Sequence, residues 1–189
     1  YYNKNADNFA KTTINVDFYE TQNRFSTLLP EHRYILDFGC GSGRDTKYFL
    51  EQGFYVDATD GSEEMCYIAS NYTGIQVRRM LFEELDENKK YDGIWVCSSI
   101  LHLPKNELKV VFMKMFKALK DDGIIYASFK YGDFEGERNG RYFTDFTEKT
   151  FEEFVVEIDN LQLKEEWITG DVRPGRGEEK WLNVILQKN

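Results

Sequence analysis

The sequence predicts an α/β fold: a mostly parallel sheet covered by helices on both faces. Three observations carry that expectation. Short apolar runs alternate with helical patterns along most of the chain, which demands parallel strands joined by crossover helices. A glycine-rich turn, Gly39-Cys40-Gly41-Ser42-Gly43, links the first apolar run to the first of those helices. Near the C-terminus, two strand-like runs are joined by a short loop, which gives an antiparallel pair and not a crossover.

Taken in order, residues 1–32 form a cap ahead of the first strand, helical in part around Val16 to Leu29. YILDFG (34–39) is a short apolar run ended by glycine, hence a buried strand. DTKYFLEQG (45–53) follows as a helix closed by Gly53. FYVDATD (54–60) is the second strand. Gly61 and Ser62 then open a helix reaching about Ser70, with Ser62 as N-cap and Glu63 and Glu64 favourable in its first turn. IQVRRMLF (75–82) and YDGIWVCSS (91–99) read as the third and fourth strands.

After Pro104, Leu108, Val111, Phe112, Met115 and Leu119 recur at helical spacing, and Asp122-Gly123 marks the stop. GIIYASFKYG (123–132) is the fifth strand, a glycine- and aromatic-rich loop covers 133–146, and a helix runs from Thr147 to about Ile158. LQLKEEWITG (161–170) and KWLNVILQK (180–188) complete the pattern as the terminal pair. No repeat or linker divides the chain, so 1–189 reads as one domain with a core of its own over 33–189.

The 189 residues are 41% hydrophobic and 16% aromatic, which excludes a disordered chain. The net charge of −9 repels a phosphate backbone, so nucleic acid is not an expected partner. Cys40, Cys66 and Cys97 are odd in number and widely spaced, which fits neither a disulfide framework nor a zinc site. No metal is expected. No apolar run has the length of a membrane span, and the residues after Tyr1 do not read as a signal peptide. The expectation is a soluble cytoplasmic protein, a monomer or homodimer.

The glycine turn lets a ligand approach the backbone and meet the free N–H groups of the following helix. Gly39, Gly41 and Gly43 give GxGxG, whereas a dinucleotide fingerprint wants its third glycine at 44, where Arg44 stands. Asp37 lies two residues before the turn. A carboxylate there would repel a pyrophosphate but suits a ligand with an ammonium group, such as S-adenosylmethionine. Asp60, ending the second strand, lies where an acid accepts both ribose hydroxyls of an adenosine. A nicotinamide dinucleotide would use Asp60 equally well.

The ordered segments DFGCGSG, VDATDGSEEM, YDGIWVCSSILHLP and LKDDGIIYASFKYG resemble the motifs of class I S-adenosylmethionine-dependent methyltransferases. Among these the chain is most similar to small bacterial enzymes of the tellurite-resistance, small-molecule type. The resemblance runs from about Tyr34 to the final strand. It implies a Rossmann-like, seven-stranded, mostly parallel sheet with an antiparallel last strand, and it makes 33–189 the cofactor-binding core.

It also implies roles. Asp37, with the loop Gly39, Cys40, Gly41, Gly43 and Arg44, would hold the methionine end, and Asp60 the ribose. Gly61, Ser62 and Met65 would flank the adenosine, and Cys97 and Ser98 would lie under the transferring methyl. The family usually places an acid for the adenine amino group where Leu81 stands here, which leaves the backbone near Phe82, or Glu83, for that task. S-adenosyl-L-homocysteine would be the product. The segment after the fourth strand, CSSIL, lacks the DPPY or NPPY pattern of methyltransferases acting on amino groups of DNA bases, so a small-molecule acceptor is expected. The alternatives are a catalytically silent module that only holds the cofactor, and an NAD(P) oxidoreductase.

His102 and Tyr131 are the candidate catalytic residues, the first as a base, the second as a ring facing the sulfonium; either could equally be structural. Lys130 ends the fifth strand beside the same crevice. In EGERNGRYFTDF, Tyr142, Phe143 and Phe146 could make a lid or plug the core, and Arg138 and Arg141 could orient an anionic substrate. Arg173 and Arg176 read as a solvated turn. Tyr2, Phe9 and Thr13 are the expected contacts of the N-terminal cap with the cofactor.

Overall fold

A computed structural model describes residues 2–173 and 175–189; for residues 2–5, 7 and 9 it describes the backbone alone. The first two helices, α1 (Tyr2–Thr13) and α2 (Tyr19–Ser26), precede the strand β1 (Tyr34–Phe38). Next come α3 (Arg44–Glu51), β2 (Tyr55–Asp60), α4 (Glu63–Thr73), β3 (Arg78–Arg79) and β4 (Tyr91–Val96). The chain then forms α5 (Lys105–Ala118), β5 (Leu119–Lys130), β6 (Glu135–Arg138), β7 (Arg141–Thr144), α6 (Glu148–Val155), β8 (Leu161–Gly170) and β9 (Lys180–Lys188).

Seven strands form one sheet in the order β3-β2-β1-β4-β5-β9-β8. The five strands β1 to β5 are parallel, and β9 runs antiparallel to both its neighbours. Strand alternation builds two apolar layers from the same segments. Leu36, Phe38, Ile94, Val96, Ile125 and Ala127 face a layer that includes Leu108, Phe112 and Met115 of α5 and Phe151 and Phe154 of α6. Their neighbours Ile35, Trp95, Ile124 and Tyr126 face the other layer, with Phe25 of α2 and Phe49 of α3. Helices therefore cover both faces, as the alternating sequence pattern requires.

Local chemistry sets the element ends. The Ser62 hydroxyl accepts from the Met65 N–H at 3.2 Å and caps α4, and Thr147 caps α6 in the same way. The third strand is far shorter than IQVRRMLF suggests, two residues at the sheet edge, because Val77 N–H is drawn off to the Ser70 hydroxyl. The fifth strand begins at Leu119, and Asp122-Gly123 forms an irregularity inside it, with Asp122 at φ 63°, not a helix stop.

The expected loop 133–146 is a hairpin of β6 and β7, turned at Asn139-Gly140, both at positive φ. Phe146 is fully buried and Phe143 nearly so, which makes these two part of the core. Among the described residues no helix is long and apolar enough to cross a membrane.

Candidate functional site

A cavity of about 450 Å³ opens at the carboxyl ends of the parallel strands, where an α/β sheet of this order binds its ligands. The turn after β1 forms one wall. Gly39, Gly41 and Gly43 all have positive φ, 85°, 55° and 84°. A Cβ at Gly39 would sit 2.6 Å from the Cβ of Ser99, so only glycine lets the turn lie this close to the end of β4. Asp60 holds the turn in place: its carboxylate accepts from Gly41 N–H and from Ser62 N–H, each at 2.9 Å. Burial raises its pKa, and those backbone donors oppose the rise.

Gly39, Cys40, Gly41, Arg44, Asp60, Gly61, Ser62, Met65, Leu81 and Phe82 all line this half of the cavity. A Cβ at Gly61 would meet Leu81 at 3.2 Å, so Gly61 packs directly against Leu81 on the cavity wall. Leu81 N–H is occupied by the Glu84 carboxylate at 2.6 Å, which makes Glu84, not Glu83, the acid that organises this segment.

Asp37 does not line the cavity. Its position on β1 turns the side chain beneath α3, where Thr46 donates to it at 2.5 Å and it is only 1% exposed. Burial first, and then the neighbouring Asp45, push its pKa up, so it is a neutral acid and not the anion expected. Gly43 also stays outside the lining; a Cβ there would meet Thr73 at 2.8 Å, so it serves the packing of α3 against α4.

The charge that the sequence assigned to Asp37 belongs to Asp45, which does line the cavity. Arg44 (2.8 and 3.0 Å), Trp95 Nε1 (2.8 Å) and Gln22 (2.7 Å) all donate to it. Burial works to raise its pKa, but Arg44 and the other donors outweigh it and keep Asp45 ionised. Arg44 lies over the ring of Phe18, 4.5 Å from its centroid, and Phe18 and Val16 line the cavity as well. Thr13 closes the wall from α1, its hydroxyl 3.2 Å from that of Ser42. The side chains of Tyr2 and Phe9 lie outside the described residues.

Cys97 and Ser98 form the floor at the end of β4. Ser98 is held at φ 51°, a strained conformation for a non-glycine residue, by its N–H bond to the Ser128 hydroxyl at 2.9 Å. Burial, with Asp45 second, pushes the Cys97 thiol up to about 11, so it is not a nucleophile at neutral pH.

Beyond this floor the cavity continues under β5, β8 and β9. His102 lines it, and its Nδ1 donates to the carbonyl of Tyr142 at 2.8 Å, which leaves Nε2 as the basic nitrogen of the neutral ring. Burial lowers its pKa, so the ring is neutral at pH 7. Lys130 and Arg141 also line this half. Tyr142 contributes its carbonyl but its side chain turns to Glu135, and Tyr131 points away from the cavity to Glu148 at 2.9 Å. Tyr131 therefore has no ring over a bound cofactor, because Gly132 and the bridge to Phe146 direct the chain outward after β5.

Arg138 is tied to Asp145 at 2.7 and 2.9 Å, whereas Arg173 and Arg176, expected in a solvated turn, line the cavity. So does Phe143, and so do Ser99, Ser128, Asp171, Trp181 and Asn183, which sequence reasoning missed.

The donor set fits S-adenosylmethionine. The glycine cradle, Arg44 and Asp45 would hold the amino-acid end, Asp60 a ribose, and the lining at Met65, Leu81 and Phe82 a flat base.

Residues 35–123 match a family profile described as a methyltransferase domain. A Bacillus subtilis (strain 168) protein provisionally named a methyltransferase is 33% identical over 116 residues, covering 56% of this chain. The chain spans about half the length of that relative, 47%. A Burkholderia thailandensis 1,6-didemethyltoxoflavin-N1-methyltransferase, solved with that compound and S-adenosylhomocysteine bound, superposes with a TM-score of 0.78 at 24% identity. The match covers all of this chain and 84% of that one. A TehB-like methyltransferase from Corynebacterium glutamicum gives 0.72 at 19% identity, over 98% and 99% of the two chains. Residues 35–123 therefore resemble a methyltransferase domain, and the chain as a whole shares the fold of these solved methyltransferases.

Proposed function

We propose that the protein transfers a methyl group from S-adenosylmethionine to a small-molecule acceptor. The observation that carries this reading is Asp60, fixed by two backbone N–H groups at the cavity wall between the glycine cradle and the Gly61, Met65 and Leu81 side of the lining. S-adenosylmethionine, when bound, supplies an electrophilic methyl group on a sulfonium, open to in-line displacement. The protein's own contribution is to bind both partners, align them and exclude water. The half of the cavity past Ser98 gives an acceptor somewhere to stand, which supports turnover over mere cofactor storage. The small-molecule ligand of the Burkholderia neighbour agrees with an enclosed acceptor site of this size.

Asp60→Ala tests the cofactor half. By calorimetry the variant should bind S-adenosylhomocysteine more weakly by roughly 1–3 kcal/mol, the cost of losing hydrogen bonds to a charged acceptor. Equal affinity in a folded variant, or a wild type that takes up NAD in preference, would sink the assignment. His102 is the base where the acceptor must lose a proton. With such an acceptor, His102→Gln should lower kcat by about 10²-fold or more. The wild-type rate should fall on the acid side of the ordinary imidazole range, since burial lowers the His102 pKa and protonation removes the lone pair, and that acid limb should vanish in the variant. A variant with unchanged kcat would make His102 a packing residue only.

A further inference from the structure

The half of the cavity beyond Ser98 has an electrostatic character of its own. Sheet order separates it from the cofactor half: β1 and β2 lie on one side of β4, and β5, β9 and β8 on the other. The cofactor half holds Asp45 and Asp60 with one cation, Arg44. The far half holds four cations, Lys130, Arg141, Arg173 and Arg176, all lining the cavity. A chain of net charge −9 has no general surplus of such residues to scatter, so their convergence is local.

One buried carboxylate gathers three of them, Lys130, Arg173 and Arg176. Asp171, at the end of β8, has a side chain only 1% exposed. It accepts from Arg173 N–H at 3.0 Å, Nε at 2.9 Å and Nη2 at 2.5 Å, and from Trp181 Nε1 at 3.2 Å. Lys130 Nζ stands 3.6 Å away and Arg176 Nε 3.9 Å. Glu179 completes the array, pairing with both Lys130 and Arg176. Burial opposes the charge on Asp171, but the Arg173 bonds outweigh it and hold the group well below the usual carboxylate range.

Asp171 and Glu179 thus face three of these cations, Lys130, Arg173 and Arg176. The carboxylates take Nε and Nη2 of Arg173 and Arg176, and a guanidinium has five donors, so each arginine keeps a second edge for a ligand. Arg141 approaches from β7, its guanidinium 5.2 Å from the ring centroid of Phe143. Phe143 and Trp181 supply apolar walls alongside these charges.

The geometry points to an acceptor that carries an oxyanion, a carboxylate or a phosphate, read by Arg141, Arg173 and Arg176, with its apolar body against Phe143 and Trp181. The inference rests on the methyl-transfer reading only for the word acceptor; the anion site stands on its own residues. Arg173 and Arg176 are oriented by Asp171 and Glu179 in advance, so little side-chain freedom is lost on binding.

Calorimetric titration with benzoate and phenyl phosphate, against the neutral counterparts benzamide and benzyl alcohol, tests this on the protein with and without S-adenosylhomocysteine. Both anions, or one of them, should bind at least about tenfold more tightly than their neutral counterparts, as charge-assisted bonds to guanidinium require. Which of the two binds identifies the group recognised. The double variant Arg141→Met/Arg176→Met should lose the preference while holding S-adenosylhomocysteine within about twofold of wild type, and Arg141→Lys/Arg176→Lys should keep part of it. Equal binding of charged and neutral probes, no anion binding at about 10 mM, or a preference that survives the double Met variant would overturn the inference. A wild type that binds the anions but not S-adenosylhomocysteine would overturn the methyl-donor reading and leave this one standing.

Discussion

Asp37 and Asp45 sit behind the same glycine turn, yet their surroundings push them in opposite directions. Asp45 meets Arg44, Trp95 and Gln22, whereas Asp37 meets one hydroxyl and a carboxylate neighbour. The unfolded chain releases the Asp37 proton near pH 4, while the folded protein retains it to higher pH. The folded state then binds more protons than the unfolded one, so this residue's contribution to stability falls as pH rises. Asp37→Asn keeps an oxygen for Thr46 and removes the ionisation. Relative to wild type it should gain roughly 1–3 kcal/mol in denaturant unfolding between pH 5 and pH 8. A difference that stays constant over that range would show that Asp37 is ionised in the folded protein. The place of Asp60 at the cavity wall was legible because an acid ending a parallel strand before Gly-Ser sits at the carboxyl edge of the sheet. The exchange between Asp37 and Asp45 was not legible, because adjacent register on a strand does not reveal which neighbour α3 will press against it.

At the level of elements, α1 shows how a cap is attached without a large apolar face. Ala6 and Ala10 are buried at helical spacing, and their small side chains let the helix lie close on α4, with Thr13 reaching Ser42 from the same face. A chain beginning at residue 15 should keep its sheet but lose one cavity wall. Its affinity for S-adenosylhomocysteine should fall about tenfold, roughly 1.4 kcal/mol, with a cooperative melting transition retained. Undiminished affinity would make the helix a bystander. The five parallel strands, the N-cap of α4 and the final antiparallel pair were readable from periodicity and capping residues. The β6–β7 hairpin was announced by Asn139-Gly140, the pair best suited to a two-residue turn, but the surrounding charges and aromatics masked it. The Arg173 and Arg176 turn was misread because its composition is that of a solvated loop. The pairing of β8 with β9, which sets Gly170 beside Lys180, is what brings Asp171 beside Glu179, with Arg173 held locally by Asp171.

Across the whole molecule, one sheet divides the cavity. The sequence motifs cluster on the β1-β2-β4 side because the turns that hold a common cofactor are local in the chain, each a strand end and the next few residues. The other side is assembled from residues 130, 141, 171–176 and 181, segments that meet only when the fold is complete, and no short spacing announces them. That assembly ends with β9. Its nine residues run between β5 and β8 and pair with both. Synthesis must therefore pass residue 188 before β8 can be joined to the rest of the sheet. A nascent polypeptide stalled near residue 179 presents two long unpaired edges to its surroundings, a template for association with other chains and a natural substrate for chaperones.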